Sequence, residues 1–565
     1  MATWQWARTS RTRTQRLGAR TDRRRPTGLA ACAVAVALVL AGCSGDGPGG
    51  SGGGGEGDAT LMLAADKGSP TFEENFNPYL QNKRSATSYI YEPLIMVNPL
   101  DAEQVPWLAE SWEQPDPATI EMTLREGVTW TDGEPLTTED IAFTFELIQE
   151  YPALDTRGAW NRIESVETTD TMITFHLQGD DTPALPVIGQ TLIVPEHIWA
   201  EQDAPDTWAN TEPVGTGPFT LGNFTPQQYT MDRNPDYWGE VAIDQIVLPS
   251  ATEQLDIVNG NFDWGYSFMS DVENTWVGAD ENNTYWFPPG GVLGLLPNHD
   301  VQPFDDVHVR RGIALALDKG RIAEVASEGY MDAASQTGLL LPNHEELLAE
   351  DIPDSGIIAQ DADAAIAAFE QAGFTHDGST MRTPDGQPFT FAITTPNGYT
   401  DWLRAVQEIQ RQLAEIGIEV DINSPQAAAY EANLSSGDYE MAFGGGLGGG
   451  DPYASYNSLL SSEFYAPNGE TTQNNRIRYQ SQEADDLLVA YRSAVEEAEQ
   501  ERIIGELQHL MFDELPGIAV YHGGMWGLFN DGRFTGWPSA EDPYASPQTW
   551  DSAPLLILTR LEPVQ

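Results

Sequence analysis

A chain of 565 residues is too long for one ordinary core, so two or three domains are expected. Its 86 acidic and 28 basic side chains give a formal charge of −58, with the acids scattered and no basic stripe. That excludes nucleic acid and anionic membrane surfaces as partners and reads as a solvating exterior. With 16 Trp, 19 Tyr and 20 Phe, the chain has rings enough to fill its cores and still line a cleft.

The first 43 residues read as an export signal. Eight arginines lie between Arg8 and Arg25, followed by an apolar run from Leu29 to Leu40. The run ends in Leu40-Ala41-Gly42-Cys43, which resembles a bacterial lipobox. Cleavage before Cys43 would leave its thiol to carry a lipid, anchoring the chain to the outer face of the cell membrane. Cys32 falls in the removed segment, so no disulfide framework is expected. Residues 44–57, nearly all Gly, Ser and Asp, read as a flexible tether. The signal takes eight of the 28 bases, leaving 20, and Asp22 of the 86 acids, leaving 85, so the mature charge is −65. After it, no stretch approaches the roughly 20 apolar residues of a membrane span.

In chain order, Asp58–Ala65 alternates as a first strand, followed by Asn75-Phe76-Asn77-Pro78-Tyr79 and Tyr91-Glu92-Pro93-Leu94. Thr131-Asp132-Gly133-Glu134 is a tight turn. Thr137 and Asp140 form a capping box before the helical stripe Ile141, Phe145, Ile148 and Tyr151. Thr171–Leu177 is a strand. Pro213-Val214-Gly215-Thr216-Gly217-Pro218 is a turn before a hairpin of Phe219–Phe224 and Tyr229–Asp232. Ile243–Leu248 is a further strand, and Asn259–Gly265 a turn into a short one. Asp305 is expected to cap a helix with Arg310 and Arg311 on its polar side. Thr400 is expected to cap another, with Leu403, Val406, Leu413 and Ile416 inward and Gly417 at its end. Ile418–Ile422 follows as a strand, so this part reads as a parallel α/β unit. Glu483–Met511 is helical with a break near Ser493–Ala498, and Ile518–Tyr521 is a strand returning to the first lobe.

Four blocks together resemble the family 5 extracellular solute-binding proteins, the peptide, nickel and oligosaccharide receptors of ATP-binding-cassette (ABC) importers. These are the Gly215-Thr216-Gly217-Pro218 hairpin, the Thr131-Asp132-Gly133 turn with its capped helix, the Asn75 to Leu94 opening, and Pro303-Phe304-Asp305-Asp306-Val307. The resemblance runs over about residues 58–562. It implies an α/β, two-lobed periplasmic-binding-protein fold (type II, cluster C) with a subdomain inserted in the first lobe. The implied divisions are 58–96 and 210–297 for lobe I, 97–209 for the insert, 298–515 for lobe II and 516–565 for the return. The implied partners are a permease and an ATPase, and the implied cargo is an oligosaccharide or oligopeptide held by a monomer with no cofactor.

Such a receptor needs polar and aromatic groups on both lobes. The candidates are Trp264, Tyr266, Tyr399, Trp402 and Trp526 as ring platforms and His522 beside the last strand. The Gly444–Tyr453 ribbon adds Gly446, Leu447, Gly448, Asp451 and Tyr453. It lacks the Gly-Lys-Ser/Thr of a phosphate loop. Peptide-binding members place an acid a few residues before this Asp-Pro, where Gly448 stands here; that leans the ligand toward an uncharged oligosaccharide. A peptide or nickel receptor is the alternative, although the eight histidines are spread singly. A secreted hydrolase is more remote, there being no Gly-x-Ser-x-Gly elbow and no mature cysteine.

Overall fold

The computed structural model describes residues 59–66, 71–250, 254–259, 262–341 and 343–564. The expected signal peptide, Cys43 and the tether lie outside the described residues.

The first strand, Thr60–Ala64, lies inside a seven-stranded sheet. The spatial order is Asn283–Trp286, Gly527–Asn530, Trp264–Tyr266, Thr60–Ala64, Gln245–Pro249, Gln228–Arg233 and Phe219–Thr225. Thr60–Ala64 pairs in parallel with both neighbours, as its buried Leu61, Leu63 and Ala64 require. The last two strands close the expected hairpin. The glycines before it serve close approach. A Cβ on Gly215 would fall 2.0 Å from the Ile90 carbonyl oxygen, and one on Gly217 2.2 Å from that of Tyr89.

Between the strands of this sheet the chain inserts a four-stranded antiparallel sheet: Ala109–Asp116, Thr119–Leu124, Met172–Leu177 and Ile163–Thr168. Helix Thr138–Glu150 packs on it through Phe145, whose ring meets Phe175 at 4.9 Å. Its cap is the expected one, the Thr137 N–H and hydroxyl donating to Asp140 at 3.0 and 3.1 Å. Insert and seven-stranded sheet share one buried core.

A second sheet is ordered Glu419–Asn423, Thr390–Thr394, Met441–Gly444, Pro289–Pro297 and Ile518–Gly524. Thr390–Thr394, helix Thr400–Glu415 and Glu419–Asn423 form the expected parallel unit. Gly417, at φ +73°, follows the helix. Tyr399 rather than Thr400 occupies the N-cap, and no side chain caps the helix. Likewise Asp306, not Asp305, caps Val307–Ala316, accepting the His308 N–H at 2.8 Å. The predicted helix break separates Gln482–Arg492 from Glu497–Glu514. Arg310, expected on a polar face, is 2% exposed. It donates to the carbonyls of Phe304, Glu514 and Leu515, satisfying the open end of helix Glu497–Glu514.

Sheet membership changes between Trp286 and Pro289 and again between Gly524 and Gly527. Pro289–Pro297, expected in the first lobe, and Ile518–Tyr521, expected to return to it, therefore both pair in the second sheet. Gly294 makes this possible, since the Ile518 carbonyl oxygen sits 2.0 Å from where its Cβ would be. Hydrophobic periodicity carries no trace of such a backbone approach.

Candidate functional site

Only Phe287-Pro288 and Met525-Trp526 separate strands of one sheet from strands of the other, and aromatic rings gather there. Trp526 meets Phe268 at 4.9 Å and Phe287 at 5.0 Å, both edge to face. Phe287 also meets Tyr330 at 5.4 Å. Tyr266 ends its strand beside this group, its ring 4.6 Å from Trp550 and its hydroxyl 3.6 Å from the Met525 sulfur. Burial pushes the Tyr266 hydroxyl up to about 12.

Polar groups bridge the two lobes nearby. Glu328, just past helix Lys319–Ser327 of the second lobe, accepts from the Ser270 hydroxyl and, at 2.9 Å, from the Asp271 N–H of the first. Arg404 pairs with Glu328 at 3.2 Å and lies over the Phe268 ring at 5.6 Å. Burial alone would raise the Glu328 pKa. The Ser270, Asp271 and Arg404 donors outweigh it and hold the carboxyl below its ordinary value. Elsewhere the Asn343 amide donates to Leu100 at 2.6 Å, and the Thr182 hydroxyl to Tyr491 at 3.1 Å. The insert thus also touches the second lobe.

The glycine ribbon runs from strand Met441–Gly444 to helix Pro452–Leu460. Gly450 packs against the insert, its Cβ position 2.2 Å from the Pro99 carbonyl oxygen. Gly446, exposed at φ +97° with open space around it, lines with Gly445, Ser458 and Asn474 a cavity of about 140 Å³. Gly448 accepts the Val292 N–H at 3.0 Å and has no room for a side chain, Gly338 oxygen lying 1.9 Å from its Cβ position.

Of the other expected contacts, Tyr399 is exposed and edge-on to half-buried Trp402 at 5.1 Å. Several were expected to face ligand and instead hold the fold. Trp264 is fully buried, its indole donating to the Pro547 carbonyl. Leu447 fills the core against Gly294 and Gly517. Asp451 caps helix Pro452–Leu460 by accepting the Ala454 N–H at 2.9 Å, and burial raises its pKa. Tyr453 is stacked on Tyr491 at 4.3 Å. His522 is 5% exposed, and burial brings it down to about 4. Tyr266, Tyr399, Trp402, Gly446 and Trp526 remain accessible or half-buried. Sequence reasoning missed Glu328, Arg404, Phe287 and Trp550, which no motif marks.

Among the described residues no three His, Cys, Asp or Glu side chains group to hold a metal, and no helix is long and apolar enough to cross a membrane. Two lobes joined by two crossings, with polar bonds across the gap, define a two-lobed periplasmic-binding-protein fold. The profile described as bacterial extracellular solute-binding proteins, family 5 Middle, matches residues 103–466. The chain belongs to this family, the substrate-binding components of ABC importers, which are receptors and not enzymes.

An uncharacterised protein of Sinorhizobium fredii is 26% identical over 459 residues, covering 68% of this chain and 67% of that one. The nickel-binding periplasmic protein of Escherichia coli is 28% identical over 428 residues, 70% and 78% of the two chains. The periplasmic oligopeptide-binding protein of an oligopeptide ABC transporter from Thermotoga maritima superposes with TM-score 0.81 at 24% identity, over 90% of this chain and 100% of that one. Its mannohexaose-bound structure gives 0.73 at 24% identity, over 90% and 99%.

Proposed function

We propose that the chain is a lipid-anchored receptor that captures an oligosaccharide, or less favourably an oligopeptide, between its lobes and delivers it to an ABC permease and ATPase. Cys43 carries the lipid, and the receptor acts as a monomer. Tyr266, Tyr399, Trp402, Gly446 and Trp526 supply the ligand contacts, the rings stacking on apolar sugar faces.

The observation that carries the oligosaccharide preference is Gly448. A receptor pairing a peptide ammonium from this position needs a carboxylate there, and the Gly338 oxygen, 1.9 Å from the Cβ position, leaves no space for one. The fold also suits a saccharide, since the Thermotoga protein of the same architecture was crystallised with mannohexaose.

The test is a thermal-shift panel of cello-, xylo- and manno-oligosaccharides against di- to pentapeptides. Saccharides are expected to raise the melting temperature; shifts with peptides alone refute the preference. For the anchor, Cys43→Ser should release the protein from cells into the medium, and unchanged membrane retention would refute it.

A further inference from the structure

The insert and the first lobe share one buried core. Among the described residues, no core cluster takes side chains from both the insert and the second lobe. Those two meet instead through hydrogen bonds and close backbone at two places. The first is Thr182 of the insert, 7% exposed, with every polar atom in use. Its N–H donates to the Arg492 carbonyl at 2.9 Å and its hydroxyl to the Tyr491 carbonyl at 3.1 Å. The hydroxyl accepts from the Gln500 amide at 3.5 Å, and the Thr182 carbonyl accepts from Gln114 of the insert at 3.3 Å. Arg492 ends helix Gln482–Arg492, where carbonyls lack partners within the helix. A residue of the insert thus finishes a helix of the second lobe, a task usually left to the chain just beyond the helix. Arg492 in turn donates to the Tyr453 hydroxyl at 3.1 Å, and the Tyr453 ring stacks on Tyr491, so the bond reaches the end of the glycine ribbon. The second place is the ribbon's flank, where Gly450 lies against Pro99 and the Asn343 amide donates to the Leu100 carbonyl at 2.6 Å. Neither place shares a residue with the Phe287, Trp526 and Glu328 group at the crossings.

The two contacts of the insert differ in kind. Parting it from the first lobe would bring a shared apolar core into water, which is costly. Parting it from the second lobe trades hydrogen bonds for bonds to water, at small net cost. A seam of the second kind can open and re-form while both sides stay folded. We infer that the insert is a clasp: Thr182 on the end of helix Gln482–Arg492 and Leu100 on Asn343 hold the lobes together beside the glycine ribbon, and the two bonds let go as one unit. A ligand lying on the ribbon then leaves only after the insert has released. That consequence rests on the receptor reading; the clasp itself does not.

The test is hydrogen exchange on the mature protein without ligand, read by mass spectrometry at single amides. The Thr182 amide should exchange at least tenfold more slowly than in an unstructured chain. It should still exchange faster than the amides of the insert strand Met172–Leu177, which open only by unfolding. Asn343→Ala removes the bond to Leu100 and, among the described residues, has no hydrogen-bond partner in common with Thr182. If the seam parts as one unit, that variant speeds Thr182 exchange severalfold and leaves the strand unchanged. Thr182→Val, which loses the hydroxyl and keeps the shape, should speed exchange at its own amide, and Thr182→Ser should restore it. Undiminished protection of the strand in each variant shows that the insert is folded. A Thr182 amide as fast as an unstructured chain, as slow as the strand, or indifferent to Asn343→Ala overturns the inference. No ligand enters this measurement, so it and the thermal-shift panel can fail independently.

Discussion

Gly448 and Gly338 meet backbone on backbone, the Gly338 carbonyl oxygen 1.9 Å from where a Gly448 side chain would begin. Val292 Cγ2 closes the other side at 2.9 Å, so nothing yields cheaply. Gly448→Ala should cost about 3 kcal/mol of stability. Gly446→Ala, in open space, faces only its φ of +97° and should cost about 1 kcal/mol. Urea unfolding of the pair checks this; equal losses would show that the ribbon is strained as a whole and not pinned at one residue.

Glu328 is the acceptor that ties the lobes together near the crossings, taking donors from Ser270 and Asp271 on one side and Arg404 on the other. It and Asp271 both sit at positive φ, 58° and 52°, strain that the surrounding contacts must hold. Glu328→Gln should weaken the closed arrangement by about 1 kcal/mol and ligand affinity roughly fivefold. Small-angle scattering should show a larger radius of gyration without ligand. An unchanged radius and affinity would make the bridge ornamental.

What the sequence disclosed was local. The Thr137–Asp140 cap and the 219–233 hairpin depend on neighbours a few residues apart, and both stand as read. The change of sheet at Phe287-Pro288 depends on Gly294 receiving a carbonyl from Ile518, far along the chain, and was placed wrongly. Rings at the ends of strands and helices look alike in sequence whether they line a cleft or fill a core. Trp264 is settled by the Pro547 carbonyl and Tyr453 by the Tyr491 face. Asp451 was read as a ligand contact because the resemblance points there, yet its immediate work is to start a helix.

Glu92 is fully buried, accepting from the Trp107, Tyr237 and Trp238 side chains at 2.6, 3.0 and 3.1 Å. Burial outweighs these donors and pushes its carboxyl up from 4.5 to about 7. Between those values the folded chain holds a proton that the unfolded chain has lost, so stability falls as pH rises through the window, by about 3 kcal/mol. Glu92→Gln cannot ionise. Relative to wild type, the variant should gain stability between pH 5 and pH 8 in urea melts, whatever its stability at pH 5. Parallel profiles would contradict this.

His522 works in the opposite sense. Burial lowers it from 6.5 to about 4, against the Asp332 charge and the Gly291 backbone, which both raise it. Between those values the unfolded chain binds a proton that the folded chain refuses. Stability is therefore fully present above 6.5 and lost as pH falls toward 4, again by about 3 kcal/mol. The window nearly coincides with that of Glu92, and the signs are opposed, so the two contributions largely cancel in the wild-type chain. Glu92 lies in a loop of the first lobe and His522 on a strand of the second sheet, and they share no partner, so their effects should add. His522→Gln alone should make stability fall more steeply with rising pH, Glu92→Gln alone should tilt the profile the other way, and the double variant should regain the wild-type slope. A double variant that follows either single one would show that the second group does not titrate in this window.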